Sequence, residues 1–569
     1  DESICGFVPG PTKENILSVG ACNGEYSLSG CLSNAAETGL SAAESAGYRI
    51  SSFEVPYFQV EEPEVHPQEA IFLIPHDKGI SRAPSQFVDM QLDVTADSIE
   101  IAVREGFESV EHIKRYTALG FGTDQGKLSN VNGIGILAKM LGRSISEIGT
   151  TVFRPAYTPT TFGAIAGRDV GNLFDPERLT AIHRWHEDNG AKFEDVGQWK
   201  RPWFYPRGSE SMDEAVNREC MSVRNGVGIL DASTLGKIDI QGPDAAEFLT
   251  RVYTNSFLNL APGKCRYGVM LKEDGMIFDD GVCTCLGSNH YLMFTTTGGA
   301  AKVLSWLELW RQTEWPELKV YFTSVTDHWG TITVNGPDAR KVLQQVCVGT
   351  NLDNDSFPFM EWRDAVVAGV DARIFRISFT GELSFEINVP AHYSRHVWEV
   401  LIDAGESFDI TPYGTEAMHV LRAEKGFMIV GQDTDGSMTP HDMGMGWVVN
   451  KSKEFSFIGK RSLDRSDMLR KNRKQFVGLK TIESSKMLPE GGQLVFDSKD
   501  KIPMSMQGHV TSSYYSPILG YPIALGVVKG GFGRMGQIVY CPLADGNSIP
   551  AEIVSAVFYD SDGARQNVE

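Results

Sequence analysis

The sequence predicts an α+β protein built from several domains. Three observations carry that prediction. The chain has 569 residues, more than one hydrophobic core accommodates. Two segments, "GKIDIQGPDAAEFLTRV" from Gly236 and "GTITVNGPDARKVLQQV" from Gly330, align without gaps. The final hundred residues break into short apolar runs separated by Gly, Pro and Asp, the pattern of a small β-barrel.

From the N-terminus, Asn15 to Gly47 reads strand, turn, helix. "ILSVG" is a short β-run, "ACNGEYSLSG" is Gly-rich, and "CLSNAAETGLSAAESAG" is a helix of small residues. Close Gly and Ala packing suits a nucleotide-binding α/β unit, although an ordinary β-turn-α unit fits equally without a GxGxxG. The expectation for 1–84 is the tail of a dinucleotide-binding domain followed by a Pro- and Glu-rich linker. The chain opens "DESICGFVPG", without Met, and reads as a piece of something longer.

Residues 85–165 are expected to form a small helical domain. "TADSIEIAVREGFESVEHIKRYTALG" has a Thr/Asp start signal and apolar residues at helical spacing, and "SNVNGIGILAKMLGRSISEIG" is a second helix pair. Between them, "KRYTALGFGTDQGK" is polar, Gly-punctuated and basic at both ends. Such a loop either simply connects helices or holds a phosphate through backbone N–H groups with Lys114, Arg115, Thr117 and Lys127.

Residues 166–207 are rich in aromatic residues and proline, as in "FEDVGQWKRPWFYPRG", and are expected to be an ordered linker arm without regular elements. His183 and His186 have near-helical spacing, but no third ligand accompanies them, so no metal site is expected.

Residues 208–472 contain the repeat. Each copy reads as an alternating strand, a Gly-Pro-Asp turn and an amphipathic helix with Pro in its first turn. Tandem copies imply a duplicated α+β domain, with the cleft between halves as the natural ligand site. Residues 473–569 are the expected barrel.

The totals exclude some functions. A formal net charge of −21 argues against a nucleic-acid groove. Nine scattered cysteines without a CxxC fit a reducing, cytoplasmic setting. No apolar run approaches the ~20 residues that span a bilayer.

Three segments carry polar residues that strand patterning leaves unexplained. In "DGMIFDDGV", Asp279 and Asp280 are adjacent like charges at the end of an apolar run. They are either a solvated turn or a ligand contact. In "FRISFTGELSFEINV", Arg376, Glu382 and Glu386 interrupt apolar strands, and alternation puts Glu386 on the face of Ser384 and Asn388. "TPYGTEAMHVLRAEKGFMIVGQD" is a helix with Arg422, Glu424 and Lys425. There is no GxSxG, HExxH or P-loop. The residues alone describe an enzyme or binding protein with an acidic cleft.

At these residues the chain resembles a known family. "VGILDASTLGKIDIQGPDAAEFL", "RYGVMLKEDGMIFDDGV", "RISFTGELSFEINVP" and "LRAEKGFMIVGQDTD" are similar to the tetrahydrofolate-binding aminomethyltransferases, the glycine-cleavage T-proteins. With "DVTADSIEIAVREGFESVEHIKRYT" and "EDVGQWKRPWFYP", the resemblance extends to the α subunits of heterotetrameric sarcosine oxidases over essentially the whole chain.

The resemblance implies capture of the one-carbon unit from oxidative demethylation of sarcosine. The products would be glycine, hydrogen peroxide and 5,10-methylenetetrahydrofolate, or formaldehyde when folate is absent. It implies partner subunits of β, γ and δ type, with the oxidation at a flavin carried by the β subunit. It also implies FMN at the boundary with that partner, contacted here by Lys114, Arg115, Thr117 and Lys127. NAD binding is implied only together with the longer N-terminal part of such subunits. Asp280 matches the family aspartate that meets the folate amine, and Glu386 the glutamate that reads the pterin ring. Asp279, on the opposite face by alternation, is expected in a turn or behind Asp280. The family arginine before "LR-E-G" falls on Met418, which removes a polar contact at the ligand's anionic end and makes Arg422 the candidate substitute. Two other readings are a free-standing folate-dependent transferase and a non-catalytic scaffold.

Overall fold

The computed structural model describes the chain except for residues 2–3, 5, 49–51, 53, 57, 62–68, 154–157, 159, 169–170, 172–174 and 500–501. Part of the expected linker, 62–68, therefore lies outside the described residues. The chain divides into two compact units, Asp1–Phe174 and Asp175–Glu569.

In the first unit a helix spans Leu28–Ser45, capped by Ser27, whose side chain accepts from the Gly30 N–H. "ILSVG" was expected as a strand, but no strand precedes this helix among the described residues. The short apolar run has no partner strand there, and β-propensity alone does not make a strand. The helical domain is as expected. Helices Ala96–Arg104, Val110–Thr117 and Asn130–Leu141 bury Ile99, Ala102, Ile113, Leu119, Ile134 and Leu137 together. Their apolar residues recur at helical spacing, so one face of each can be removed from water.

The second unit begins with a correction. The aromatic arm is a β-hairpin, Lys192–Val196 paired with Trp199–Phe204. Pro202 does not prevent this, because a two-stranded ribbon is all edge and an edge position needs no ladder donor. A short helix, His183–Asp188, precedes it.

The duplication is realised as two antiparallel-rich sheets. The first contains, in spatial order, Tyr321–Ser324, Gly236–Gln241, His290–Thr295, Ile277–Gly287 and Cys265–Leu271. The second contains Cys347–Val348, Glu361–Val367, Val370–Arg376, Ser384–Pro390, Trp329–Asn335, Gly228–Asp231 and Thr411–Pro412. One copy of the repeat sits in each: strand Gly236–Gln241 leads to helix Ala245–Val252, and strand Trp329–Asn335 to helix Ala339–Val346. The prolines lie one residue before the caps Asp244 and Asp338, outside the helices rather than in their first turns. The repeated glycines have a steric cause. Gly242 (φ 137°) and Gly336 (φ 119°) have no room for a Cβ, which would lie 2.1 Å from the Lys319 carbonyl oxygen and 2.3 Å from that of Gly226.

The C-terminal barrel is also as expected. Its six strands run Gln493–Leu494, Gly508–Ser516, Tyr521–Lys529, Lys474–Thr481, Ser548–Val554 and Ile538–Pro542, and a Val495–Tyr540 bridge joins the two ends. Val477, Leu479, Val510, Val528, Val539 and Ile553 fill it.

A buried ion cluster ties these parts together. Arg224 is completely buried and donates to Glu382 at 2.7 Å and to Glu424 at 2.6 Å. Arg565, from the C-terminal segment, donates to the other oxygen of Glu382 at 2.9 Å. The charges of Glu382 and Glu424 are thus consumed by packing.

Candidate functional site

One cavity of about 1930 Å³ lies in the second unit. Its wall draws on both sheets, the hairpin, the helix Thr415–Glu424 and the barrel. It is the cleft between duplicated halves, roofed by the last domain.

Asp280 enters it from the strand Ile277–Gly287. Val269 faces Asp280 across the ladder, and Tyr267 faces Val282, so Tyr267 lies diagonal to Asp280 on the same face. The Tyr267 hydroxyl donates to Asp280 Oδ2 at 2.6 Å. Burial raises the Asp280 carboxyl to about 6, against the lowering effect of that hydrogen bond. The site is therefore not a solvated turn.

Asp279 corrects the alternation argument. It does turn to the other face, but it too lines the cavity. The ladder slips here: Met270 pairs with Asp279 and Leu271 with Ile277, leaving Phe278 as the extra residue of a bulge. A Cβ on Gly299, the cap residue of helix Ala300–Thr313, would lie 2.5 Å from Thr296 Oγ1 and 2.6 Å from Asp279 Oδ2, so a larger residue there would push both side chains aside. Both Asp279 oxygens are buried, and among the described residues neither meets a partner in good hydrogen-bond geometry, although Thr296 lies against them and opposes the rise in proton affinity. Burial, and secondarily the charge of Asp280, raise Asp279 to about 7.

Glu386 lines the same cavity from the strand Ser384–Pro390. Its neighbours across the ladder are Thr333 and Phe375. No side-chain hydrogen bond from Glu386 is made within the described residues, and burial raises its carboxyl to about 7. Behind it stands Lys237, fully buried, which donates to the carbonyls of Ser233 and Leu235 at 3.0 Å. Burial lowers this amine to about 8, with the charge of Glu386 opposing. Patterning gave no sign of Lys237 or Tyr267, because each occupies an ordinary strand position.

Arg422 is not brought to the cavity. Its guanidinium is fully buried and donates to Asp433, to the Phe427 carbonyl and, at 2.7 Å, to Ser512. It fastens the helix to the barrel. Met418 does line the cavity.

The segment from Lys114 to Lys127 belongs to the first unit and does not form an open phosphate cradle. Asp89 accepts from the Gly120 N–H at 2.8 Å, and Asp124 accepts from the N–H groups of Gly126 and Leu128. Carboxylates already occupy positions an anion would take. Lys114 is buried and donates to the Val152 carbonyl at 3.0 Å, Arg115 pairs with Glu111, and Thr117 donates to the Ile113 carbonyl at 2.8 Å. Lys127 is exposed.

Family comparison agrees with this architecture. The GCVT N-terminal domain matches residues 182–453 and the glycine cleavage T-protein C-terminal barrel domain matches 474–560. The sarcosine oxidase A3 domain matches 83–168. The aminomethyltransferase of Halothermothrix orenii is 30% identical over 381 residues, covering 67% of this chain and 99% of that protein.

The chain belongs to the aminomethyltransferase family.

A crystal structure of the glycine cleavage system aminomethyltransferase T from Bartonella henselae matches it with a TM-score of 0.58 and 26% identity, over 67% of this chain and 98% of that one. The chain is also similar along its whole length to the sarcosine oxidase subunit alpha of Corynebacterium sp. (strain U-96), at 50% identity over 576 residues. It spans 59% of that relative's length. Within the aminomethyltransferase portion lie Asp279, Asp280, Glu386, Tyr267 and Lys237, all inside the 182–453 match. Among the described residues no cluster of His, Cys, Asp and Glu suits a metal, and no helix is long and apolar enough to cross a membrane.

Proposed function

We propose that the chain is the folate-handling part of a sarcosine oxidase α subunit. The observation that carries this reading is the convergence of Asp279, Asp280 and Glu386 on one cavity between the duplicated halves. Three carboxylates with elevated proton affinity and few protein partners suit a ligand rich in N–H groups. Tetrahydrofolate has such groups on its pterin ring and supplies the amine nitrogens that capture a one-carbon unit.

The roles follow from position. Glu386, with no side-chain hydrogen bond among the described residues and a carboxyl raised by burial to about 7, pairs with the aminopyrimidine edge of the pterin. Asp280, oriented by Tyr267, accepts the amine N–H and stabilises positive charge as nitrogen attacks the one-carbon unit. Lys237 lies behind Glu386 and stabilises its ionised form. In this reading the oxidation of sarcosine takes place at a flavin in a partner subunit, with FMN at that boundary. NAD belongs to the length of the relatives that this chain does not span. The match of residues 83–168 to the sarcosine oxidase A3 domain favours a subunit over a free-standing transferase.

The test uses the assembled complex with sarcosine and tetrahydrofolate, following methylenetetrahydrofolate and peroxide together. Asp280→Ala is expected to cut methylenetetrahydrofolate roughly ten- to a hundredfold, the worth of one charge-assisted hydrogen bond, while peroxide continues. Equal loss of both products, or of neither, would overturn the proposal.

A further inference from the structure

Arg201 is a cation of the cavity wall with no settled partner. It lies on the hairpin strand Trp199–Phe204, opposite Glu194. Its side chain is 12% exposed, and its Nε is buried with no hydrogen-bond partner. The nearest carboxylate oxygen, Glu194 Oε1, is 4.0 Å from Nε, and that oxygen already accepts the Thr415 hydroxyl at 2.6 Å. The contrast with neighbouring cations is informative. Arg266 donates to the Ser256 carbonyl and Lys425 to Asp560, so both are held by the protein, while the Lys302 amine lies over the Phe278 ring at 5.3 Å beside the acidic strands; Arg201 is the cation that the hairpin adds. A guanidinium has five donors in a fixed fork, and leaving them dry is costly. Burial already pulls the Arg201 pKa downward.

The surroundings say where this charge enters. The hairpin is fastened to the helix Thr415–Glu424 by the Thr415–Glu194 bond and by Trp203, whose indole N–H donates to Glu416 at 2.9 Å. Met418 is three residues beyond Thr415, on the same helix face, and lines the cavity. Arg201 and Met418 therefore enter the same wall from two elements fastened to each other, both separate from the strands that carry Asp279, Asp280 and Glu386.

We propose that Arg201 binds a carboxylate of the cavity's ligand, so that the three acidic side chains hold its nitrogen-rich ring and the hairpin holds its acidic end. This rests on the folate reading and adds to it the element that recognises the glutamyl portion. A planar fork matches a carboxylate with two parallel N–H bonds, which a lysine cannot reproduce.

The experiment is calorimetric titration of the full chain with two probes, tetrahydrofolate and 6-methyltetrahydropterin, the latter having the ring without any carboxylate. Arg201→Met is expected to weaken tetrahydrofolate roughly ten- to a hundredfold and leave 6-methyltetrahydropterin unchanged, with Arg201→Lys recovering only part. Thermal melting checks that each variant is folded. Unchanged tetrahydrofolate affinity in Arg201→Met, or equal weakening of both probes, overturns the role of Arg201 and leaves the folate reading standing. Failure of the wild-type chain to bind either probe overturns both.

Discussion

The Tyr267 hydroxyl donates to Oδ2 of Asp280 at 2.6 Å, across two neighbouring strands of the first half. The bond fixes one oxygen of the carboxylate and leaves the other for a ligand. Tyr267→Phe removes the orientation but keeps the charge. It should lower one-carbon capture several-fold, less than Asp280→Ala does, and should raise the pKa of Asp280, since the hydrogen bond favours the ionised form. The check is the pH profile of methylenetetrahydrofolate formation in the variant. An unmoved profile would remove Tyr267 from the site.

Burial raises the carboxyls of both Asp279 and Asp280, and the charge of Asp280 adds to the rise at Asp279. Asp280 is raised to about 6 and Asp279 to about 7. Capture requires ionised Asp280, so it should fall as pH drops through about 6. Asp280→Asn removes the neighbouring charge and should bring the ionisation of Asp279 below 7, observable by NMR of the labelled carboxyl carbon. Asp279→Ala should affect capture less than Asp280→Ala. Reversal of that order would exchange their roles.

Glu386 makes a prediction about stability. Burial raises its carboxyl to about 7, so the folded chain binds this proton more tightly than the unfolded chain does. The sign is that stability falls as pH rises from about 4.3, the unfolded value, through about 7, and is level beyond. Glu386→Gln cannot ionise. Its stability relative to wild type should rise across that window, by on the order of 3 kcal/mol at the upper end. Urea melts at pH 5 and pH 8 measure the difference. The same variant should bind tetrahydrofolate more weakly, because one acceptor oxygen becomes a donor.

Arg224 tests the frame around the site. Arg224→Met leaves Glu424 without its guanidinium partner and Glu382 with Arg565 alone. Breaking a buried pair this way costs about 3–5 kcal/mol. A urea midpoint unchanged from wild type would contradict the cluster's structural role.

Much of this arrangement was legible in the sequence. Gly-Pro-Asp in both copies announced the duplication because Gly242 and Gly336 sit where no Cβ fits. Strand alternation placed Asp280 and Asp279 on opposite faces, but alternation describes a flat strand. The bulge at Phe278 and the helix cap at Gly299 bring the cavity around the strand to Asp279 as well. Arg422 was a reasonable candidate for a cationic contact, because a helix position does not reveal that Asp433 and Ser512 arrive from elsewhere to claim it. Arg201 was illegible for the converse reason: its hairpin looked like an irregular arm. Asp89 and Asp124 lie in sequence where nothing suggests that they would fill the loop after Thr117.

Binding of tetrahydrofolate to the purified chain tests the central claim most directly. Calorimetry at neutral pH should show one tetrahydrofolate per chain in wild type, with affinity reduced roughly ten- to a hundredfold in Asp280→Ala and by a similar factor in Glu386→Gln. Absence of binding by the folded wild-type chain, or binding indifferent to both substitutions, would contradict the account.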